Sequence, residues 1–319
     1  MKKITLDDVS QKLRDFAPDK VAHTFESKTT LRELALHFYE SNYQTASVVE
    51  NGKLLGIVSR NDIVYNVHRF FENRDGCLLE DIMIRRPFVL SPDNTIWDGL
   101  IMMAKKEVSS VAIIEDDGTY VKSLDFTDFF NWMIEKIDLN VEYSWKLANW
   151  TFFDTNIMEV AFDELEAGVI DEKIFNFQCY NAITAEVLRL DASTKLSDMR
   201  DHFKKYRQPQ CVITRFGTMI KGIISANEII ELLLGTDFQP DPNTQISDVM
   251  NIDMVYCMYK HTFKHGITLL LNKDSQRLLV VDEDSFPMAI MRYYDILKYI
   301  TDAVLSEGAD RSVLSKRAA

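Results

Sequence analysis

Apolar residues recur along this chain in two alternating rhythms. Four rows fall at spacings of three and four: Leu31, Leu34, Ala35 and Phe38; Ile96, Leu100 and Met103; Leu196, Met199 and Phe203; Phe263, Ile267 and Leu270. That spacing sets each row on one face of a helix. Fifteen positions after each row begins, a short strand-like run starts: ASVVE at 46, VAIIE at 111, CVITR at 211 and LLVVD at 278. A turn follows, ENGK, DDGT or RFGT in the first three copies, then a second strand: LLGIVS, YVKSL, IKGIIS or PMAIM. The pairs read as hairpins with a glycine supplying positive φ, although the fourth turn, DEDS, has no glycine.

Each copy closes on an acidic residue that opens a second helix: Asp62, Asp128, Glu228 and Asp295, 31 or 32 positions after its row begins. The halves also repeat each other: LEDIM at 79 and ISDVM at 246 stand 167 apart, as do Asp128 and Asp295. The expected architecture is therefore α/β (α+β), four β-α-β-β-α units in two similar halves. The first half spans 1–136, with units at about 5–75 and 78–136. The second spans 178–305, with units at about 178–236 and 245–305. Between them, 137–177 is an irregular segment with Trp145, Trp150, Phe152 and Phe153, too aromatic for a disordered linker and expected to pack on one half or dock a partner. Residues 306–319 read as a disordered tail. Leu6, Val9, Leu13 and Phe16 predict an amphipathic helix leading into the first unit.

Composition narrows the function. A formal charge of −13 over 319 residues argues against nucleic-acid or anionic-membrane surfaces, so an anionic ligand needs a local Arg or Lys pocket. No apolar leader and no run of about 18 apolar residues occurs, which suggests a cytoplasmic or nuclear protein without membrane contact. Four cysteines, at 77, 179, 211 and 257, lack CxxC spacing and read as reduced, buried thiols. No P-loop, GxGxxG, nucleophile elbow or HExxH is present, so no catalytic residue is assigned and the chain is not expected to be an enzyme. His261 and His265, four apart in KHTFKHG, lack a third ligand by spacing and read as a solvated or ligand-adjacent basic face. Lys260 reads as a surface lysine, and EDDG at 115–118 as a hairpin turn.

The repeat and its ending, GIVSRNDI at 56–63, resemble the CBS domain. That resemblance covers roughly 5–136 and 178–304. It implies that units pair through their sheets into Bateman modules whose clefts hold adenosine-containing ligands such as AMP, ADP, ATP or S-adenosylmethionine. Four units in one chain resemble the gamma regulatory subunits of AMP-activated protein kinase. The fourth unit, QRLLVVDEDSFPMAIMRYYDILKYI, is the most similar.

At the helix entrances two readings coexist. Ser59 and Asp62 have capping-box spacing, and an acid there suits the helix macrodipole. The resemblance adds a ligand role, with Asp62 accepting ribose hydroxyls and Ser59 donating to phosphate. Ser225 and Glu228 keep the pattern with one more methylene. Asp125 beside Asp128 would repel phosphate, leaving that entrance empty or open to a nucleoside-like ligand. Arg292 before Asp295 could grip phosphate or pair with the acid. Of the basic residues the resemblance implies before the first hairpin strands, Arg277 and Arg207 remain, while Gln44, Ser109, Ser110 and Gln276 stand elsewhere. The expected function is a regulatory subunit that needs no cofactor, binds adenine nucleotide and controls a partner such as a kinase catalytic or scaffold subunit. The alternative is a scaffold whose nucleotide sites have degenerated. No metal or nucleic acid is expected.

Overall fold

The computed structural model describes residues 2–16, 23–41, 43–72, 76–138, 169–182, 185–206, 210–215, 219–235, 243–252, 256–272 and 277–305. In chain order, the first unit follows α1 (Leu6–Val9) with β1 (Thr24–Phe25), α2 (Leu31–Glu40), β2 (Thr45–Glu50), β3 (Lys53–Ser59) and α3 (Arg60–Glu72). After α4 (Leu79–Ile82), the second unit has β4 (Val89–Leu90), α5 (Ile96–Lys106), β5 (Ser110–Ile114), β6 (Tyr120–Asp125) and α6 (Phe126–Ile137). After β7 (Ala185–Glu186), the third unit has β8 (Arg189–Asp191), α7 (Leu196–Tyr206), β9 (Cys211–Arg215), β10 (Met219–Ile224) and α8 (Ala226–Leu234). The fourth has β11 (Tyr256–Met258), α9 (Phe263–Asn272), β12 (Arg277–Val281), β13 (Pro287–Arg292) and α10 (Tyr293–Leu305). The α/β, four-unit architecture is thus as the apolar pattern predicts. Every residue of the four apolar rows is at most 1% exposed.

The four sheets share one construction. A short strand lies parallel to the first hairpin strand, and the hairpin itself is antiparallel. Each hairpin also carries one extra residue on its second strand: Leu55, Val121, Lys221 and Met288 fall between the paired positions. Such a bulge bends the strand and sharpens its twist, so all four hairpins deliver their last residue to a helix entrance alike. The fourth turn manages without glycine by placing Ser285 at φ 61°.

Units one and two meet sheet to sheet. Ser47 Oγ lies 2.7 Å from Ser123 Oγ, and Ile57 and Ile84 exchange backbone bonds of 3.2 and 2.9 Å. The second half repeats this, with Ile223 and Asn251 exchanging two bonds of 2.9 Å. Both approaches require glycine: a Cβ on Gly56 would lie 2.8 Å from Ile84 O, and one on Gly222 would lie 2.7 Å from Asn251 O. The halves then join through helices. α5 packs on α10, and α2 and α3 pack on α8, so one apolar core spans units two and four and another spans units one and three. Phe126 stacks on Tyr293 at 4.2 Å across the first of these cores.

Two expectations need correction. The N-terminal helix stops at Val9, with the Ser10 hydroxyl bonded to Leu6 O. The chain then turns onto the second unit rather than leading into the first: Leu13 N bonds Asn94 O, Ile96 N bonds Gln11 O, and Phe16 stacks on Phe129 at 5.4 Å. The burial available to Leu13 and Phe16 against α5 and α6 outweighs two more helical turns on a solvated face. Of the connecting segment, residues 169–177 pack inward. Ile170 pairs with Ile4, and Phe177 lies against Phe263 and Tyr299. Trp145, Trp150, Phe152, Phe153 and the tail 306–319 lie outside the described residues.

Candidate functional site

The four helix entrances share a plan and differ in what fills it. At α3 the Ser59 amide and hydroxyl both donate to Asp62 Oδ2, at 2.7 and 2.6 Å, and the Asp62 amide returns a 3.3 Å bond to Ser59 Oγ. Burial pushes the Asp62 pKa up from its ordinary value, with the two bonds from Ser59 pulling against it. At α8 the Ser225 amide and hydroxyl each donate to Glu228 Oε2 at 2.6 Å. The longer side chain of Glu228 lets its Oε1 also accept from Asn251 at 3.3 Å, tying the entrance to the segment that follows the unit.

At α6, Asp125 takes the hydroxyl's place. Its Oδ1 accepts from the Thr127 amide at 2.8 Å and from the Thr127 hydroxyl, while Asp128 Oδ2 accepts from the Asp125 amide at 2.8 Å. Both carboxylates are buried. At α10, Arg292 grips Asp295 with two parallel bonds: Nε to Oδ2 and a terminal nitrogen to Oδ1, both 2.8 Å. The guanidinium also lies 4.2 Å over the Tyr294 ring. Burial works against its charge, yet the bonds and charge of Asp295 hold Arg292 above its ordinary pKa. Of the two readings left open for Arg292, the structure shows the ion pair.

One cavity, of about 320 Å³, lies where units one, two and four meet. Unit one contributes Thr45, Ile57, Ser59, Asn61 and Tyr65; unit two contributes Ile84 and the turn Lys106–Ser110; unit four contributes Arg277, Tyr293 and Tyr294. Burial lowers the Arg277 pKa, but a guanidinium stays charged in proteins, so a cation stands in the cavity wall. Asn61 Oδ1 accepts from Arg277 at 3.3 Å and orients it. Hydroxyls, tyrosines and two cations, Arg277 and Lys106, together suit a ligand with an aromatic ring, a sugar and an anionic group.

Among the residues singled out from sequence, Ser59 and Arg277 meet in this cavity. Asp62 stands behind Ser59 as its acceptor, and Asp128, Ser225, Glu228, Arg292 and Asp295 do not line it. Arg207 lies outside the described residues. Sequence reading missed Asn61, Tyr65, Lys106, Glu107, Tyr293 and Tyr294. One signal was present: Asn61 and Tyr65 stand four apart at the start of α3, on the face that Ser59 opens.

The histidine pair differs from its expected role. His261 and His265 are half-buried with ring centroids 4.3 Å apart. Burial and the neighbouring ring push His261 down to about 4, and burial also lowers His265. Burial thus favours the neutral form of both rings. Lys260 pairs with Glu283 on the surface. Among the described residues, no group of three His, Cys, Asp or Glu side chains could hold a metal ion, and no helix is long and apolar enough to cross a membrane. The four cysteines are free and buried.

Comparison with known proteins agrees with this geometry. Residues 13–69 and 79–135 match the CBS domain family. The match falls on the first two units, and the strand and helix order of that stretch recurs in the second half. An uncharacterized protein of Methanocaldococcus jannaschii, MJ1232, is 31% identical over 109 residues, 34% of this chain and 35% of that protein. A second uncharacterized protein of that organism, MJ0188, is 28% identical over 130 residues, 40% of this chain and 46% of that protein. The chain thus aligns with less than half the length of either relative. Among solved structures, protein MJ1225 of M. jannaschii, described as a candidate archaeal homologue of γ-AMPK, superposes with a TM-score of 0.68 at 21% identity, covering 91% of this chain and 99% of that one. A conserved protein from Pyrococcus horikoshii superposes with a TM-score of 0.53 at 14% identity, covering 91% of this chain and 100% of that one. At these identities the likeness establishes a shared four-unit fold.

Proposed function

We propose that this protein is a non-catalytic regulatory subunit that binds an adenine nucleotide in the central cavity and passes its occupancy to a protein partner, such as a kinase. The two modules would span 1–136 and 178–305. The observation that carries this reading is the placement of Arg277 and Ser59 in one cavity shared by three units. A ligand bridging them contacts both halves, so it favours the arrangement of the halves that it fits better. Arg277 holds the phosphate and Ser59 donates to it. Tyr65, half-buried in the same lining, offers a ring to the base. The fold shared with the candidate γ-AMPK homologue supports the partner class, and the absence of a recognisable catalytic motif supports the non-catalytic role. A cytoplasmic location fits such a subunit.

Calorimetry and thermal melts of the purified protein with AMP, ADP and ATP test this. A nucleotide at a hundred times its dissociation constant stabilises the native state by about 2.7 kcal/mol. Arg277→Ala should weaken binding at least about tenfold, the loss of one charge-assisted bond. If no nucleotide raises the melting temperature at millimolar concentration, the reading fails.

A second reading, a scaffold with degenerate sites, is favoured by the entrances at α6 and α10. There Asp125, Asp128, Arg292 and Asp295 bond within their own units. Such a scaffold would hold its partner equally with and without nucleotide, whereas release or capture on adding nucleotide counts against it.

A further inference from the structure

The four cysteines divide into two kinds. Cys77 and Cys211 lie in the core shared by units one and three, whereas Cys179 and Cys257, 78 positions apart, meet with their sulfurs 3.5 Å from each other. A disulfide asks for sulfurs about 2 Å apart, so bonding this pair takes a movement of about 1.5 Å. Cys257 sits on β11 of the fourth unit. Cys179 opens a 3₁₀ turn, Cys179–Ala182, that carries the chain from the connecting segment towards the third unit. This turn is a strap over the fourth unit: the Cys179 amide donates to His261 O at 2.6 Å and the Tyr180 amide to Tyr259 O at 3.0 Å. Cys179 is buried, but the next residue, Tyr180, is 42% exposed. The strap packs on α10, and Phe177 just before it lies against Phe263 and Tyr299. Beneath it the fit is close. A Cβ on Gly266 of α9 would stand 3.1 Å from Cys179 Sγ, so a seated strap has no room there for an adduct on that sulfur.

We propose that Cys179 and Cys257 are a reversible redox pair, oxidised by a small disulfide such as oxidised glutathione, and that their bond fastens the strap to the fourth unit. This stands apart from the nucleotide-binding reading. When the strap lifts, the Cys179 thiolate attacks one sulfur of the oxidant. A mixed disulfide forms, and one thiolate leaves and takes up a proton. Cys257 acts second, since burial and the contact with Cys179 hold its thiol well above the ordinary pKa. As its proton departs, its sulfur attacks the Cys179 sulfur and expels the second half of the oxidant as a thiol. The two cysteines lose two electrons and two protons, and the two sulfurs of the oxidant gain them. Packing against Gly266 lets the strap reseat on the protein disulfide but not on the adduct, which favours the second step. An excess of free thiol reverses the sequence.

The test equilibrates the full chain in mixtures of reduced and oxidised glutathione, blocks the remaining thiols by alkylation and maps the peptides by mass spectrometry. Oxidation should join Cys179 to Cys257 while Cys77 and Cys211 stay alkylated, and dithiothreitol should undo it. The cross-link should raise the melting temperature by about 3 °C or more, and Cys257→Ala should abolish that rise. Hydrogen exchange at the Cys179 and Tyr180 amides should slow at least about tenfold in the oxidised protein. A persistent glutathione adduct on Cys179, a disulfide to Cys77 or Cys211, or no disulfide at all would overturn the inference. So would a melting rise that survives in Cys257→Ala. Exchange unchanged by oxidation would show that the bond does not fasten the strap.

Discussion

The helix entrances of the first and fourth units occupy the same step of the repeat, yet they are built on different electrostatics. In the first unit a hydroxyl meets a carboxylate: Ser59 donates to Asp62, and the serine itself lines the cavity. In the fourth unit a guanidinium meets a carboxylate, and the two bonds between Arg292 and Asp295 bind both groups to each other. The cation that the fourth unit gives the cavity is instead Arg277, which faces Arg292 across the hairpin register. Position in the repeat therefore does not set a residue's role. What else bonds to it does. A cation committed to a buried acid has little left for a ligand, while its neighbour one strand away lines the cavity and donates to Asn61.

Four changes break or sharpen this contrast. The largest effect is expected at the fourth entrance. Asp295→Asn leaves the Arg292 side chain, only 16% exposed, without its counter-charge, and breaking such a pair costs about 3 kcal/mol or more. Urea denaturation reads this directly, and a double-mutant cycle with Arg292→Ala should return a sizeable coupling. Next comes Arg60 in the first unit. Its guanidinium donates to Phe38 O, to Ser41 O and Tyr43 O at 2.7 and 2.8 Å, and to Asn227 at 2.7 Å. Arg60→Ala should cost about 2 kcal/mol, from carbonyls left without a donor at the end of α2.

Third, Asp62→Asn should cost less than about 1 kcal/mol, because an amide oxygen can still accept from Ser59 and the buried charge is gone. If it costs as much as Asp295→Asn, the contrast between the entrances is wrong. The last effect vanishes at neutral pH and emerges only as the solution is acidified. An unfolded histidine titrates near about 6.5, whereas His261 in the folded protein is held at about 4. The unfolded chain therefore binds more protons between those values, so stability is full above about pH 6.5 and falls as pH drops towards 4. His261→Gln should flatten the fall seen in urea melts between about pH 7 and pH 5. A slope unchanged by the substitution would place the titrating group elsewhere.

The repeat was legible because its signals are local. A row such as Leu31, Leu34, Ala35 and Phe38 encodes a buried helix face without reference to the rest of the chain, and the same offset to the next strand recurs four times. The bulges at Leu55, Val121, Lys221 and Met288 were not legible, since an extra residue shows only against its partner strand. The cavity was half legible. Ser59 and Arg277 stand out as residue types at marked positions, but their meeting depends on α5 packing against α10, which brings Asn61 within reach of an arginine 216 positions away. The turn of Leu13 and Phe16 onto the second unit escaped for a similar reason, because periodicity reports an apolar face and says nothing of which neighbour covers it.

Helix α3 begins with two consecutive residues that reach different units of the opposite half: Arg60 bonds Asn227 in the third unit, and Asn61 bonds Arg277 in the fourth. The first turn of α3 is thus a two-armed lever. A small rotation of that turn loads both arms together, so whatever settles beside Ser59 pulls on the far half as one piece rather than on either of its units alone.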